Sequence, residues 1–217
     1  MSQREIYHII AAMIMMTVIV SFNSIIKGDF LLIPMYAVFS IIIILVSVLS
    51  KKIAADHYDA DIEHELWKME RYGLPQAWRL AKPVPVGIIF PLFFTVFSLG
   101  FLKPLTFLTF EIRALKRRAA RRHGYYSYAE MTDWHVALIS AFSILCLLAL
   151  GIIAYFTPLP NSEVLAKLAI FYAFWNMIPI SKLDGTQLLF SSRIIYIIVG
   201  IITLICTSFA LLIGNLI

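Results

Sequence analysis

The sequence predicts an all-α polytopic membrane protein, a single domain over residues 1–217, and three observations carry that class. Hydrophobic residues make up 61% of the 217 and charged ones 14%, with a mean hydropathy of +0.86, more apolar surface than one water-soluble core of this length can hide. The apolar residues gather into runs long enough to cross a bilayer. The net charge of +5 is concentrated in two stretches between those runs, which bears on orientation and anionic lipid before nucleic acid. No nucleic-acid motif accompanies it. Cys146 and Cys206 lie in mid-run with no disulfide or zinc-knuckle spacing, and say nothing of compartment.

Taken in order, the first run follows a short charged start (Arg4, Glu5). It is longer than a signal-peptide core and no small-x-small cleavage site follows, so it reads as a membrane helix over about 6–26. A turn at Lys27-Gly28-Asp29 leads to a second helix, about 30–50. Residues 51–84 are charged, a cytoplasmic linker in which Ala60, Ile62, Leu66 and, less clearly, His64 alternate with acids at 59, 61, 63 and 65. A period of two predicts a helix up to Tyr58 followed by a short membrane-associated strand with one wet face.

Residues 84–107 are apolar but interrupted by Pro85, Pro91, Gly100, Lys103 and Pro104. Read as a re-entrant hairpin, this segment leaves sixteen of the 18 Lys and Arg on one side and two on the other. That asymmetry is what positive-inside sorting produces, and it puts the basic loops in the cytoplasm of a multi-pass cell-membrane protein. Residues 111–123 predict a basic surface helix ended by Gly124, with Ile112, Leu115, Ala119 and Ala120 toward the bilayer. Arg113, Lys116, Arg117, Arg118, Arg121 and Arg122 then face anionic headgroups. Ser127-x-x-Glu130 reads as a capping box. Helices follow over about 135–157, with Trp134 and Tyr155 as interfacial anchors, 164–182 and 193–216, making about five spans. No internal repeat points to a transporter of duplicated halves.

The stretch Asn176-Met-Ile-Pro179-Ile-Ser-Lys-Leu183-Asp184-Gly185 closes the fourth of these runs. An aspartate at a membrane helix end is costly to desolvate and is there for a partner or a site. Pro179 removes a backbone donor, kinking or ending the helix where Asp184 follows. An ordinary helix exit is the competing reading, with Gly185 as C-cap and Asp184 among headgroups.

Asn176, Pro179, Leu183, Asp184 and Gly185 together resemble the NxxPxxxLDG motif of the site-2 proteases, zinc enzymes that cut substrates within the membrane. The resemblance covers roughly residues 30–185 and implies a site-2 protease-like core, with Asp184 as a zinc ligand beside two histidines of an HExxH. No HExxH occurs in the chain. In the register that Lys52-Ile-Ala-Ala55-Asp-His-Tyr58 implies, the metal-binding positions hold Ser47 and Lys51 and the general-base position holds Val48. Serine is a poor zinc ligand, an ammonium repels the ion, and valine moves no proton. The family's Gly-Pro-x-x-Asn position reads Ala141-Phe142-Ser143-Ile144-Leu145 here.

The resemblance therefore implies a catalytically inactive member, a pseudoprotease without cofactor that binds a membrane-protein partner or helix. Its groove would be the Asn176 to Gly185 stretch with the strand near 59–66, the latter by strand addition. In that reading Lys51 pairs with Asp184 and replaces the metal's charge, so the two stand within about 6–7 Å. The alternative is an active zinc enzyme with atypical ligands, Asp184 plus His57 or His64.

Overall fold

The computed structural model describes residues 2–71, 79–115, 131–158 and 160–212. The chain divides into two compact units, Met1–Ile44 with His64–Thr109 and Leu45–Glu63 with Phe110–Ile217. Among the described residues, four helices are long and apolar enough to cross a membrane.

In the first unit, helix α1 spans Gln3–Lys27; the Ser2 side chain accepts from the Glu5 amide, and Gly28 closes the helix at φ 80°. A left-handed residue there lets the Gly28 and Asp29 amides reach the carbonyls of Ile25 and Ser24. A short 3-10 turn, Phe30–Leu32, precedes α2, Ile33–His57, whose first part belongs to this unit. Hydroxyls within these apolar helices bond back one turn, as Thr17 does to Met13 and Ser40 to Tyr36, which keeps those donors satisfied within the helix.

Strand β1 is Ala60–Leu66, with residues 60, 62, 64 and 66 buried in alternation. A short antiparallel pair follows, β2 (Met69–Arg71) with β3 (Arg79–Val84), joining Met69 to Val84. Helix α3, Val86–Phe97, then leads through a turn at Gly100 and an extended return to β4, Leu108–Ala114. The start and the return of residues 84–107 meet at one residue. The Gly87 amide donates to the Trp67 carbonyl at 2.8 Å and the Trp67 amide to the Phe107 carbonyl at 2.8 Å. A Cβ at Gly87 would lie 2.5 Å from the Phe107 oxygen, so only glycine allows this closure. Twelve residues of helix reach about 18 Å, roughly half a bilayer.

Strands β1 and β4 pair. The Trp67–Phe107 bond at one end and the Leu115 amide to the Asp59 carbonyl at the other make the ladder antiparallel. This corrects the expected helix at its start: Glu111 to Ala114 continue β4. Ile112 packs on a cluster of Ala54, Ala60, Ile62, Phe110 and Ile139, and Arg113 reaches Glu63 across the sheet at 3.1 Å. Pairing to β1 outweighs local helix propensity. The rest of that helix, with Lys116, Arg117, Arg118, Arg121, Arg122 and the Ser127–Glu130 box, lies outside the described residues.

The second unit is built on α4, Asp133–Phe156, which packs against α5 (Ser162–Met177), α6 (Asp184–Ser191) and α7 (Arg193–Leu212). The expected helix over 164–182 is shorter: α5 ends at Met177, because a residue preceding proline is pushed out of the helical region and Ile178 is extended. Six residues, 178–183, separate that end from Asp184, where the chain starts helix again.

Candidate functional site

The site lies in the second unit, where α2, α5 and α6 bring their polar side chains to one buried place. On α2, Ser47 and Lys51 are one turn apart and so share a face; Val48 beside them is fully buried. Lys51 is 2% exposed and Asp184 1%. The Lys51 Nζ lies 2.9 Å from Asp184 Oδ1, as a hydrogen bond, and 2.7 Å from Oδ2. One ammonium thus bridges both carboxylate oxygens, as expected of a pair that would otherwise be two buried lone charges. The same Nζ sits 4.7 Å from the centre of the Phe110 ring, and the negative ring face adds to its stabilisation.

Asp184 is the first residue of α6, where the positive end of the helix favours a carboxylate. Gly185 makes that placement possible. A Cβ there would lie 2.0 Å from the Met177 carbonyl oxygen, so the start of α6 abuts the end of α5 with no room for a side chain. Gly185 is not a C-cap, and Asp184 is not among headgroups. The backbone between Pro179 and Asp184 turns tightly: the Ile180 amide donates to Ile178 and the Leu183 amide to Ile180, with Ser181 at φ 55°.

Asn176 and Tyr172 close the site on α5, each 1% exposed. The Asn176 Nδ2 donates to the Tyr172 carbonyl at 2.7 Å. The Tyr172 hydroxyl has the Ser47 and Asn176 side chains as hydrogen-bonding neighbours and faces the charge of Asp184. Ser143 of α4 donates to the Ser47 carbonyl at 3.3 Å, and Gln187 of α6 donates to the Phe110 carbonyl at 3.0 Å. Ser143 belongs to the stretch read at the Gly-Pro-x-x-Asn position, whereas Tyr172, Phe110 and Gln187 were not among the residues singled out from sequence. Only Tyr172 carries a readable sign, lying one helical turn before Asn176.

The remaining candidates are elsewhere. His57 packs edge-on against Tyr58 at the end of α2, their ring centres 5.1 Å apart. His64 belongs to the first unit, where its Nδ1 lies 3.0 Å from Glu5 Oε1, both side chains 1% exposed. Its backbone amide donates to the same oxygen at 3.3 Å. Because β1 alternates, His64 points to the buried face while Asp61 and Glu63 point the other way. Among the described residues no three His, Cys, Asp or Glu side chains are grouped to hold a metal ion.

The groups around Asp184 do not fit zinc. An ammonium already bridges its two oxygens, and the side chains around it are a phenol, a carboxamide and a serine. Zinc asks for imidazole, thiolate or carboxylate. Compared with known proteins, the chain matches no family model, no curated protein and no solved structure.

Proposed function

We propose that the chain is a pseudoprotease of site-2 protease type, a multi-pass protein of the cell membrane that holds a membrane-protein partner instead of cleaving it. The observation that carries this reading is the Lys51–Asp184 bridge at 2.7–2.9 Å. It sits where the NxxPxxxLDG motif and the degenerate HExxH register would otherwise converge on a metal. A lysine there supplies positive charge to the aspartate and leaves nothing to activate a water. Helix α5, 16 residues long, is the fifth membrane element in this reading. The meeting of Gly87 and Phe107 at Trp67 supports residues 84–107 as a re-entrant hairpin, and with it the basic loops on the cytoplasmic side, near anionic headgroups.

The test is zinc content of the purified protein in mild detergent. The wild type and Asp184→Ala are both expected to lack stoichiometric zinc, with Asp184→Ala destabilised. Rebuilding the motif with Ser47→His, Val48→Glu and Lys51→His together is expected to create zinc uptake that Asp184→Ala then abolishes. Zinc bound by the wild type, or a folded triple variant that takes up none, overturns the reading.

A further inference from the structure

We infer that the second unit carries a binding site for a zwitterionic phospholipid with a primary ammonium headgroup, of the phosphatidylethanolamine class. Near the end of α4 opposite its Asp133 start, a groove of about 240 Å³ runs between α4, α5 and α7, lined by Gly151, Tyr155, Cys206 and Phe209 among other apolar side chains. That is less than an enclosed ligand pocket and suits one acyl chain laid along the helices. It opens outward: Ile152, Ile205 and Phe209 on its walls are 46%, 64% and 52% exposed.

Two charged residues line this apolar groove, Glu163 and Lys167. Neither has an ion-pair or hydrogen-bond partner among the described residues. Glu163 is exposed at the start of the helix, while Lys167 is half-buried against the groove, and a lysine so placed is costly unless something in the bilayer answers it. Their order along α5 says what does. Glu163 is in the first turn, and Lys167 is four residues, about 6 Å, further in. In a phosphatidylethanolamine the ammonium lies on the water side of the phosphate and the acyl chains on the other. Read inward along α5, the carboxylate meets the ammonium, the lysine meets the phosphate, and the apolar groove takes a chain.

The carboxylate also sets the selectivity. An anionic headgroup places negative charge beside Glu163, and a trimethylated choline has no N–H to donate to it. The pairing with Lys167 alone does not distinguish the two zwitterions.

Native mass spectrometry of the full chain, released from detergent with equimolar lipids, tests the proposal. Across headgroups from ethanolamine through mono- and dimethyl forms to choline, retention by the wild type is expected to fall, about tenfold end to end, the weight of one charge-assisted hydrogen bond. Phosphatidylglycerol is expected not to exceed phosphatidylethanolamine. Glu163→Gln is expected to level ethanolamine with choline, and Lys167→Gln to weaken both. Equal retention of the two headgroups by the wild type overturns the proposal, as does a preference unchanged in Glu163→Gln. A lipid-free dimer would assign the groove to a second copy and overturn it equally. The methylation series needs no variant, so misfolding of either substitution does not shelter the idea.

Discussion

Removing one partner of the Lys51–Asp184 bridge strands the other. In Lys51→Met the Asp184 carboxylate stays 1% exposed with the cation that bridged both its oxygens gone. In Asp184→Asn the Lys51 ammonium keeps the Phe110 ring 4.7 Å away and no counter-charge. Breaking a buried pair from one side costs about 3–5 kcal/mol, whereas replacing both partners by uncharged groups is often close to neutral. Each single variant is therefore expected to lose about 3–5 kcal/mol and the double variant less than about 2 kcal/mol, a coupling far outside additivity. For a chain of this size one kcal/mol is worth about 2–4 °C, so each single substitution lowers the melting temperature by roughly 10 °C and the double restores most of it. Thermal unfolding in detergent, followed by tryptophan fluorescence, reads the cycle. Singles within about 1 kcal/mol of wild type, or a double variant costing the sum of the singles, would refute the reasoning.

Gly185→Ala puts a Cβ 2.0 Å from a backbone oxygen and is expected to cost about 3 kcal/mol or more on the same assay; a variant as stable as wild type means α6 does not abut α5. Gly87→Ala places its Cβ 2.5 Å from the Phe107 oxygen. It is expected to open residues 84–107 to limited proteolysis with a smaller change in global melting, and unchanged digestion counts against the closure at Trp67. Arg113→Ala removes an ion pair whose side chains are 64% and 33% exposed. Its expected effect is within about 0.5 kcal/mol, and a loss above about 1 kcal/mol would show the pair anchors the sheet.

Long periodic features were legible without coordinates: the apolar runs, the alternation through β1, and the partnership of Lys51 with Asp184, which two buried lone charges demand. What stayed hidden depended on distant chain. Glu111 to Ala114 have helix-forming residues, yet they pair with β1 because Ile112 finds an apolar cluster there. His64 shares the apolar phase of β1, yet nothing near it in sequence names Glu5 as its partner. Gly185 read as a helix stop, since its real role, admitting the Met177 carbonyl, is a contact across a turn. Tyr172 is an ordinary residue of an apolar helix until Ser47 and Asn176 are seen around its hydroxyl.

The two bonds at Trp67 make the excursion over 84–107 a single kinetic object. Gly87 donates to the Trp67 carbonyl and Trp67 donates to Phe107, so one peptide position secures both flanks, and Trp67 itself is 1% exposed. Fraying from either flank exposes the indole and weakens the other bond, so the segment detaches as one cooperative unit instead of unzipping residue by residue. The amide hydrogens of Trp67 and Gly87 then exchange with solvent deuterium at a shared rate, set by how often the whole excursion lets go.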